Sequence, residues 1–525
     1  MKTITLHHVQ RYLIYLLAFL SIAYLSANIF EHVPHSEDEV AYLFQAKLFA
    51  QQRLSANTPP YPNAFWTPFV VDYNGQRFGK YPPGWPILLS IGVYFEAAWL
   101  INALLGTATL ALIAWLGHYF YATENLDPPE ISRRDAETCR KHNMSGGSTN
   151  KIGLLAAGLG LVTPCFLFLS SSLLSHTASL FWVTLALLTL CQTYHNAQAD
   201  VTHWRIILQS MLTGIMLGLV FITRPFAALG VGIPIAMFWL ILVGRGELPW
   251  LSLMACFVGG LLTSALLPLY WWAITGDPTF NPYLLVWPYD RIGFGADIGP
   301  YGFGLAESIL STRLKITALA SGLFGWPGWS NLIFMPIPFL ARWANRWDWL
   351  LLGIIVGLIV VHAFYWAFGG LDGGFPRYYY DALPALLLLT ARGILIMWGY
   401  LRGQSKWGQV ASNGLVALII GAIVYSVGWR LPPLLAEQKG KYGLSPEQLR
   451  PVEMVQLDEP ALILVTDVTR WRHFAIPFAA NSPTLDGPIV YAIDDNPDTT
   501  RQLRQYFKGR ACWRLTTKQL QPCGD

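Results

Sequence analysis

Long apolar runs separated by short polar breaks fill most of this chain. Windows of about 19 residues pick out runs near 11–30, 97–120, 152–171, 176–194, 206–223 and 226–243. Further runs lie near 251–272, 327–341, 349–368, 383–400 and 410–429. A helix needs about 20 apolar residues to cross a bilayer, so the pattern predicts about eleven transmembrane helices. The first run follows a basic start, MKTITLHHVQR, but is too long for a signal-peptide core and has no clean small-x-small cleavage site. It reads as an uncleaved first helix. The stretch 85–95 is too short to span and predicts an interfacial helix. After residue 430 the pattern changes. ALILVTD and PIVYAID are short β-type runs, TTRQLRQYFKG reads as a helix, and ACWRL as a further strand. The expected fold class is an α-helical polytopic membrane protein (1–430) with a small α/β domain at its C-terminal end (431–525). No internal repeat is visible.

Composition agrees. Of 525 residues, 54% are hydrophobic and only 13% charged, against roughly 25% charged in soluble domains. The net charge of +4 is spread thinly and gives no argument for nucleic acid. The placement of the basic residues says more. With the N-terminus inside, Arg11, Arg133, Arg134, Arg205, Arg245, Arg342, Arg346 and Arg402 all fall on the cytoplasmic side. The outer segments are then 31–84, 273–326 and the tail. Three of the six cysteines, Cys165, Cys191 and Cys256, sit in apolar runs, and Cys139 in a polar inner loop. Cys512 and Cys523 lie in the outer tail, where an oxidising compartment allows a disulfide. No CxxC or Cys/His spacing points to a cysteine-ligated metal.

This topology gathers the unusual polar residues on one face. Glu37, Asp38 and Glu39 open the first outer segment and Lys80 nearly closes it. His176 sits between two spans, and Arg224 ends one in FITRPFAAL. Asp290, Arg291 and Arg313 lie in the second outer segment, and Asp372, Arg377 and Tyr378 in GGLDGGFPRYYYDALPAL. Acids facing several cations at the lipid boundary suit a phosphate-bearing lipid. Each residue also has a plainer reading. Asp38 suits a helix N-terminus, the arginines suit snorkelling anchors, and His176 suits a hydrogen-bonded core histidine. Lys80 follows a hairpin whose Asn74-Gly75 fits a type I′ turn. The aromatic loops fit an interfacial belt.

In order along the chain come Asp38-Glu39-Val40-Ala41-Tyr42, then Lys80-Tyr81-Pro82-Pro83-Gly84, Thr223-Arg224-Pro225, TGDPTFNPY and RYYYDALPAL. Over roughly residues 10–430 this series resembles the GT-C membrane glycosyltransferases, family 39 in particular. That family includes protein O-mannosyltransferases and lipid A aminoarabinose transferases. The resemblance implies a polyprenyl-phosphate-linked sugar donor and a hydroxyl acceptor on lipid, glycan or protein, with transfer on the outer face of a bacterial-type inner membrane. It makes Asp38 the catalytic residue, with Glu39 as its partner. It makes Lys80, Arg224 and Arg377 the candidates for holding the donor phosphate. His176, Asp290, Arg291, Asp372 and Tyr378 join them as candidate substrate contacts, and Glu37 is left as surface. Two departures stand out: Tyr81 separates Lys80 from Pro82-Pro83, and no β-trefoil insert is present. The chemistry requires no cofactor, although His35, Glu37 and Asp38 leave a divalent metal open. A transporter and a polysaccharide polymerase or ligase remain as alternatives. The missing repeat and the one-sided charge count against the transporter.

Overall fold

The computed structural model describes residues 6–121, 149–199, 201–403, 406–455, 457, 459–466, 468–494, 496–516 and 519–524. The inner loop 122–148, with Cys139, Arg133 and Arg134, lies outside the described residues. Among the described residues, nine helices are long and apolar enough to cross a membrane, and a bent pair supplies a tenth. The chain is a multi-pass membrane protein, with each span satisfying its own backbone hydrogen bonds.

The order begins with α1 (Leu6–Asn28), α2 (Glu37–Ala50), a hairpin of β1 (Val70–Tyr73) and β2 (Gln76–Gly79), α3 (Gly84–Tyr94) and α4 (Ala98–Tyr121). Asn74 and Gly75 both take positive φ, as the hairpin reading requires. The bent pair is α5 (Thr149–Leu161) and α6 (Pro164–Ser171), set at 66° to one another. Pro164 has no N–H to continue the ladder of α5, and the helix breaks there. Next come α7 (His176–Gln198), α8 (His203–Thr223), α9 (Pro225–Gly244), α10 (Trp250–Ser264) and α11 (Leu266–Thr275). The last helices of the bundle are α12 (Leu305–Gly322), α13 (Arg346–Ala363), α14 (Leu383–Arg402) and α15 (Lys406–Tyr425).

One expected span is corrected. Over 327–341 the chain forms only a 3-10 turn (Gly328–Leu332) and a single helical turn (Ile337–Leu340). Pro327, Pro336 and Pro338 prevent a continuous helix. The stretch still crosses the bundle. Gly322 lies against Gly374, just before α14, and the Phe334 carbonyl abuts Gly393 within it. Arg392 donates to the Trp343 carbonyl at 2.5 Å, about 22 Å beyond Arg377 at 1.5 Å per residue. Among the described residues, the nine spans and the bent pair, together with this broken crossing, make eleven. The helix before it, α12, carries Glu307, Arg313 and Lys315 and runs along the loop end of the bundle. There Ser308 donates to the Ala363 carbonyl at 2.6 Å.

An odd number of crossings puts the tail beside segment 31–84, and the two pack together. The tail sheet runs Ile489–Ile493, Ala461–Val465, Ala511–Leu515, Leu520–Pro522, with three parallel strands and an antiparallel last one. A disulfide joins Cys512 to Cys523. One face of the sheet buries Leu462, Leu464 and Val490 against Ala64 and Phe65 of the first segment. The other covers itself with Phe474 and Phe478. Val40 of α2 packs on Leu444, Ala475 and Ile476, and Lys47 donates to the Asn481 carbonyl at 3.1 Å. At the opposite end of the bundle, Arg392 and Asp348 pair at 2.8 Å, both buried, and the Tyr121 hydroxyl donates to the same carboxylate.

Helices α8 and α10 meet through glycine. A Cβ added at Gly214 would stand 1.9 Å from the Cys256 carbonyl oxygen. Such contacts let backbones approach where lipid removes the hydrophobic drive between helices. Gly214→Val is expected to lower the unfolding temperature of the detergent-solubilised protein, through an overpacking cost of about 1–3 kcal/mol. Gly232→Ala, where an added Cβ meets nothing within 4 Å, should leave it unchanged.

Candidate active site

Helix α2 begins after Ser36, whose hydroxyl accepts the Glu39 N–H at 3.4 Å. Its first turn holds all three acids, where the helix N-terminus favours negative charge. Consecutive helical positions point in different directions, and the three carboxylates part company. Glu39 turns inward and is 1% exposed. It accepts from the His35 backbone N–H and, at 3.0 Å, from that of Leu173, tying α2 to the turn between α6 and α7. Asp38 faces a cavity of about 860 Å³. There it accepts a hydrogen bond from the Tyr81 hydroxyl and pairs with Arg377 at 3.2 Å. Burial, with Asp38 adding to it, holds the Tyr81 phenol well above its usual range, so it stays a donor. Glu37 is half-buried in the cavity wall rather than free surface. Burial and then Asp38 push its carboxyl up.

The cations arrive from three other parts of the chain. Lys80 follows β2, is buried, and sits in a cage of rings: Phe69 at 3.7 Å, Trp287 at 4.3 Å and Tyr283 at 4.9 Å from the ammonium. Desolvation pulls this ammonium down to about 8, against the pull of Asp38 and Asp290. Arg224 occupies the joint between α8 and α9. It donates to His176 Nε2 at 2.8 Å, and its Nε stands 3.7 Å from the buried Asp381. Arg377 comes from the short helix that leads into α14. Asp290 is 5% exposed and accepts from the Tyr365 hydroxyl at 2.9 Å and Trp366 Nε1 at 3.0 Å. The Tyr378 ring stacks on His362 at 5.0 Å, with the Arg224 guanidinium 5.8 Å from its centre.

Eight of the ten sequence candidates therefore line one cavity: Asp38, Glu39, Lys80, Arg224, Arg377, His176, Asp290 and Tyr378. Glu39 does so as a backbone clasp. Arg291 stands apart, more than half exposed and paired with Asp297 at 2.9 Å on the loop surface. Its neighbour Asp290 turns in while Arg291 turns out. Arg313 is exposed on α12. Asp372 pairs through its backbone with Phe375 in a two-residue strand, and its side chain lies outside the described residues. Sequence reasoning missed Tyr81, which had counted only as an interruption of the Lys-Pro-Pro pattern. It also missed Asp381, inside the quoted RYYYDALPAL, and the tail residues Lys441, Tyr442 and Arg472 that complete the cavity wall. The basic cluster KGKYG soon after the last span was the available signal for these. Among the described residues, no three His, Cys, Asp or Glu side chains are grouped to hold a metal ion.

The helical bundle carries a charged cavity at one end, roofed by long loops and a small tail domain. The chain is similar to ArnT from Cupriavidus metallidurans, at a TM-score of 0.57 for its apo state and 0.56 for its structure bound to undecaprenyl phosphate. The two share 12% identity, over 97% of this chain and 92% of that one. An archaeal oligosaccharyltransferase, AglB from Archaeoglobus fulgidus in complex with an inhibitory peptide and a dolichol-phosphate, matches at 0.47 with 13% identity, over 88% of this chain and 63% of its own. No family model matches the sequence, and no curated protein matches it.

The caged lysine gives a direct test. The rate of Lys80 acetylation by acetic anhydride should reach half its plateau at about pH 8, whereas that of exposed lysines does so at about 10.4. Peptide mass spectrometry across a pH series reads this. Reactivity of Lys80 that rises only with the exposed lysines would contradict the buried cage.

Proposed function

We propose that this chain is a glycosyltransferase that moves a sugar from a polyprenyl-phosphate donor to a hydroxyl acceptor, with inversion, on the extracytoplasmic face of a bacterial-type inner membrane. The observation that carries the reading is the pairing of Asp38 with Arg377 inside a cavity that also presents Lys80 and Arg224. An acid paired with a guanidinium, close to further cations in the same cavity, suits a reaction that abstracts a proton and expels a phosphate. The similar fold of ArnT, bound to undecaprenyl phosphate, supports the lipid class of the donor.

In this mechanism the acceptor oxygen attacks the anomeric carbon as the bond from that carbon to the phosphate oxygen breaks. The acceptor proton passes to Asp38, and the electron pair of the broken bond leaves on the polyprenyl phosphate. Arg377 and Arg224 bind the phosphate through their planar forks, and Lys80 adds a point charge. Before the donor arrives, Arg377 is held by Asp38. The incoming phosphate draws on the same guanidinium and loosens that pair, which frees an oxygen of Asp38 for the acceptor. Tyr81 keeps the other oxygen oriented. The acceptor is a lipid, glycan or protein hydroxyl, and no metal is required by these steps.

Orientation is supported by two features. The Cys512–Cys523 disulfide suits an oxidising compartment on the cavity side. Arg342, Arg346 and Arg402 lie at the other end of the bundle, as the positive-inside rule expects of a cytoplasmic face. Clustering of the charged groups at one end, rather than at mid-membrane, favours an enzyme over a transporter.

Sugar transfer from undecaprenyl-phosphate glycosides by the purified protein in nanodiscs is the test. Asp38→Asn should cut turnover by about 10²–10⁴ while bare undecaprenyl phosphate still binds. Arg377→Ala should cut it by about 10²–10³ and weaken lipid binding as well. Near-normal turnover in Asp38→Asn would remove the base, and failure of the unmodified protein to bind undecaprenyl phosphate would remove the donor class.

A further inference from the structure

The chemistry above leaves two acids of the cavity wall unused, Glu37 and Asp290, and Asp290 is the more deeply buried. It belongs to the loop between α11 and α12, where its N–H bonds to the Trp287 carbonyl at 2.9 Å and turns the chain back on itself. Its carboxylate is 5% exposed, and the two oxygens have different surroundings. Oδ1 accepts from Tyr365 and Trp366, both on the stretch that follows α13. Oδ2 is buried and has no hydrogen-bond partner among the described residues. A buried acceptor left unmade costs stability, and here the residue lines the cavity, where a ligand can supply the missing donor. A phosphate cannot, because it brings only negative charge to a carboxylate.

The neighbours narrow the ligand. The Trp287 and Trp366 rings meet edge to face at 6.1 Å, and Tyr365 hydrogen-bonds the same carboxylate, so apolar ring surface surrounds one buried acceptor without a hydrogen-bond partner. Carbon–hydrogen faces of a pyranose pack on such rings while hydroxyls point to the carboxylate. A cation is less suited, because the caged Lys80 ammonium already lies 4.3 Å from the Trp287 ring and acts on Asp290 through space.

Resting on the donor reading above, we infer that Asp290, framed by Trp287, Tyr365 and Trp366, binds the hydroxyls of the donor's neutral sugar and selects which sugar is transferred. The phosphate is held by Arg377 and Arg224, and the ring is placed by Asp290, so one cavity recognises the two parts of the donor separately.

The test measures affinity of the full-length protein in nanodiscs for bare undecaprenyl phosphate and for undecaprenyl phosphate bearing glucose, galactose, mannose or N-acetylglucosamine. The unmodified protein is expected to hold at least one glycoside about tenfold or more tighter than the bare lipid, the scale of a hydrogen bond to a charged group. Asp290→Asn, close in shape, should erase most of that preference and leave the bare lipid unchanged. Trp366→Phe should reduce the preference in the same sense, and Arg291→Ala, on the exposed side of the same loop, should not. Equal weakening of bare and glycosylated lipid in Asp290→Asn, an unchanged preference, or no glycoside preferred by the unmodified protein overturns the inference while bare lipid still binds. No binding of bare lipid at all would instead bring down the donor reading on which it rests.

Discussion

A single buried carboxylate sets the geometry of the cavity. Glu39 is almost wholly out of water, and a charge in that position persists only where donors surround it. It finds them in two backbone N–H groups, of His35 just ahead of α2 and of Leu173 in the turn between α6 and α7. The clasp fixes the direction and rotation of α2 at its first turn. Asp38, one residue earlier on that turn, is thereby aimed into the cavity. Removing the clasp would leave either an uncompensated charge or two orphaned N–H groups, and either outcome frees the helix start on which Asp38 depends.

Around that fixed acid, the cations are separated by what neutralises them. Arg377 meets Asp38 itself, Arg224 stands between His176 and the buried Asp381, and Lys80 has aromatic faces for company. These are three different degrees of readiness for an incoming anion. The ring-caged ammonium has been desolvated already, so an anion beside it would gain more than beside a hydrated surface lysine. The two guanidinium forks are already oriented by their protein partners.

Much of this was legible in the sequence, for reasons that can be assigned residue by residue. Span positions follow from apolar length, which the bilayer enforces. The span at 327–341 misled because a hydropathy window does not register Pro327, Pro336 and Pro338. Asn74-Gly75 announced its hairpin because few residue pairs accept positive φ twice. The three acids were visible as a group, but which of them turned inward depended on the partner at Leu173, far away in sequence. Asp290 and Arg291 are neighbours with equal standing on paper, and only the loop's turn at Trp287 divides them. Tyr81 looked like a defect in a motif and is instead the hydroxyl that orients Asp38. The packing of the tail on segment 31–84 joins residues some four hundred positions apart, and no local pattern encodes it.

The shared core between that segment and the tail imposes an order on biogenesis. Ala64, Phe65 and Val40 are synthesised early, yet the strands and helix that cover them come from the last part of the chain. Until the strands and helices after residue 461 are made, the nascent protein carries an uncovered apolar patch beside the helix that bears Asp38. The site is therefore closed last. A chain cut short anywhere before residue 461 keeps the face of Ala64 and Phe65 exposed to water.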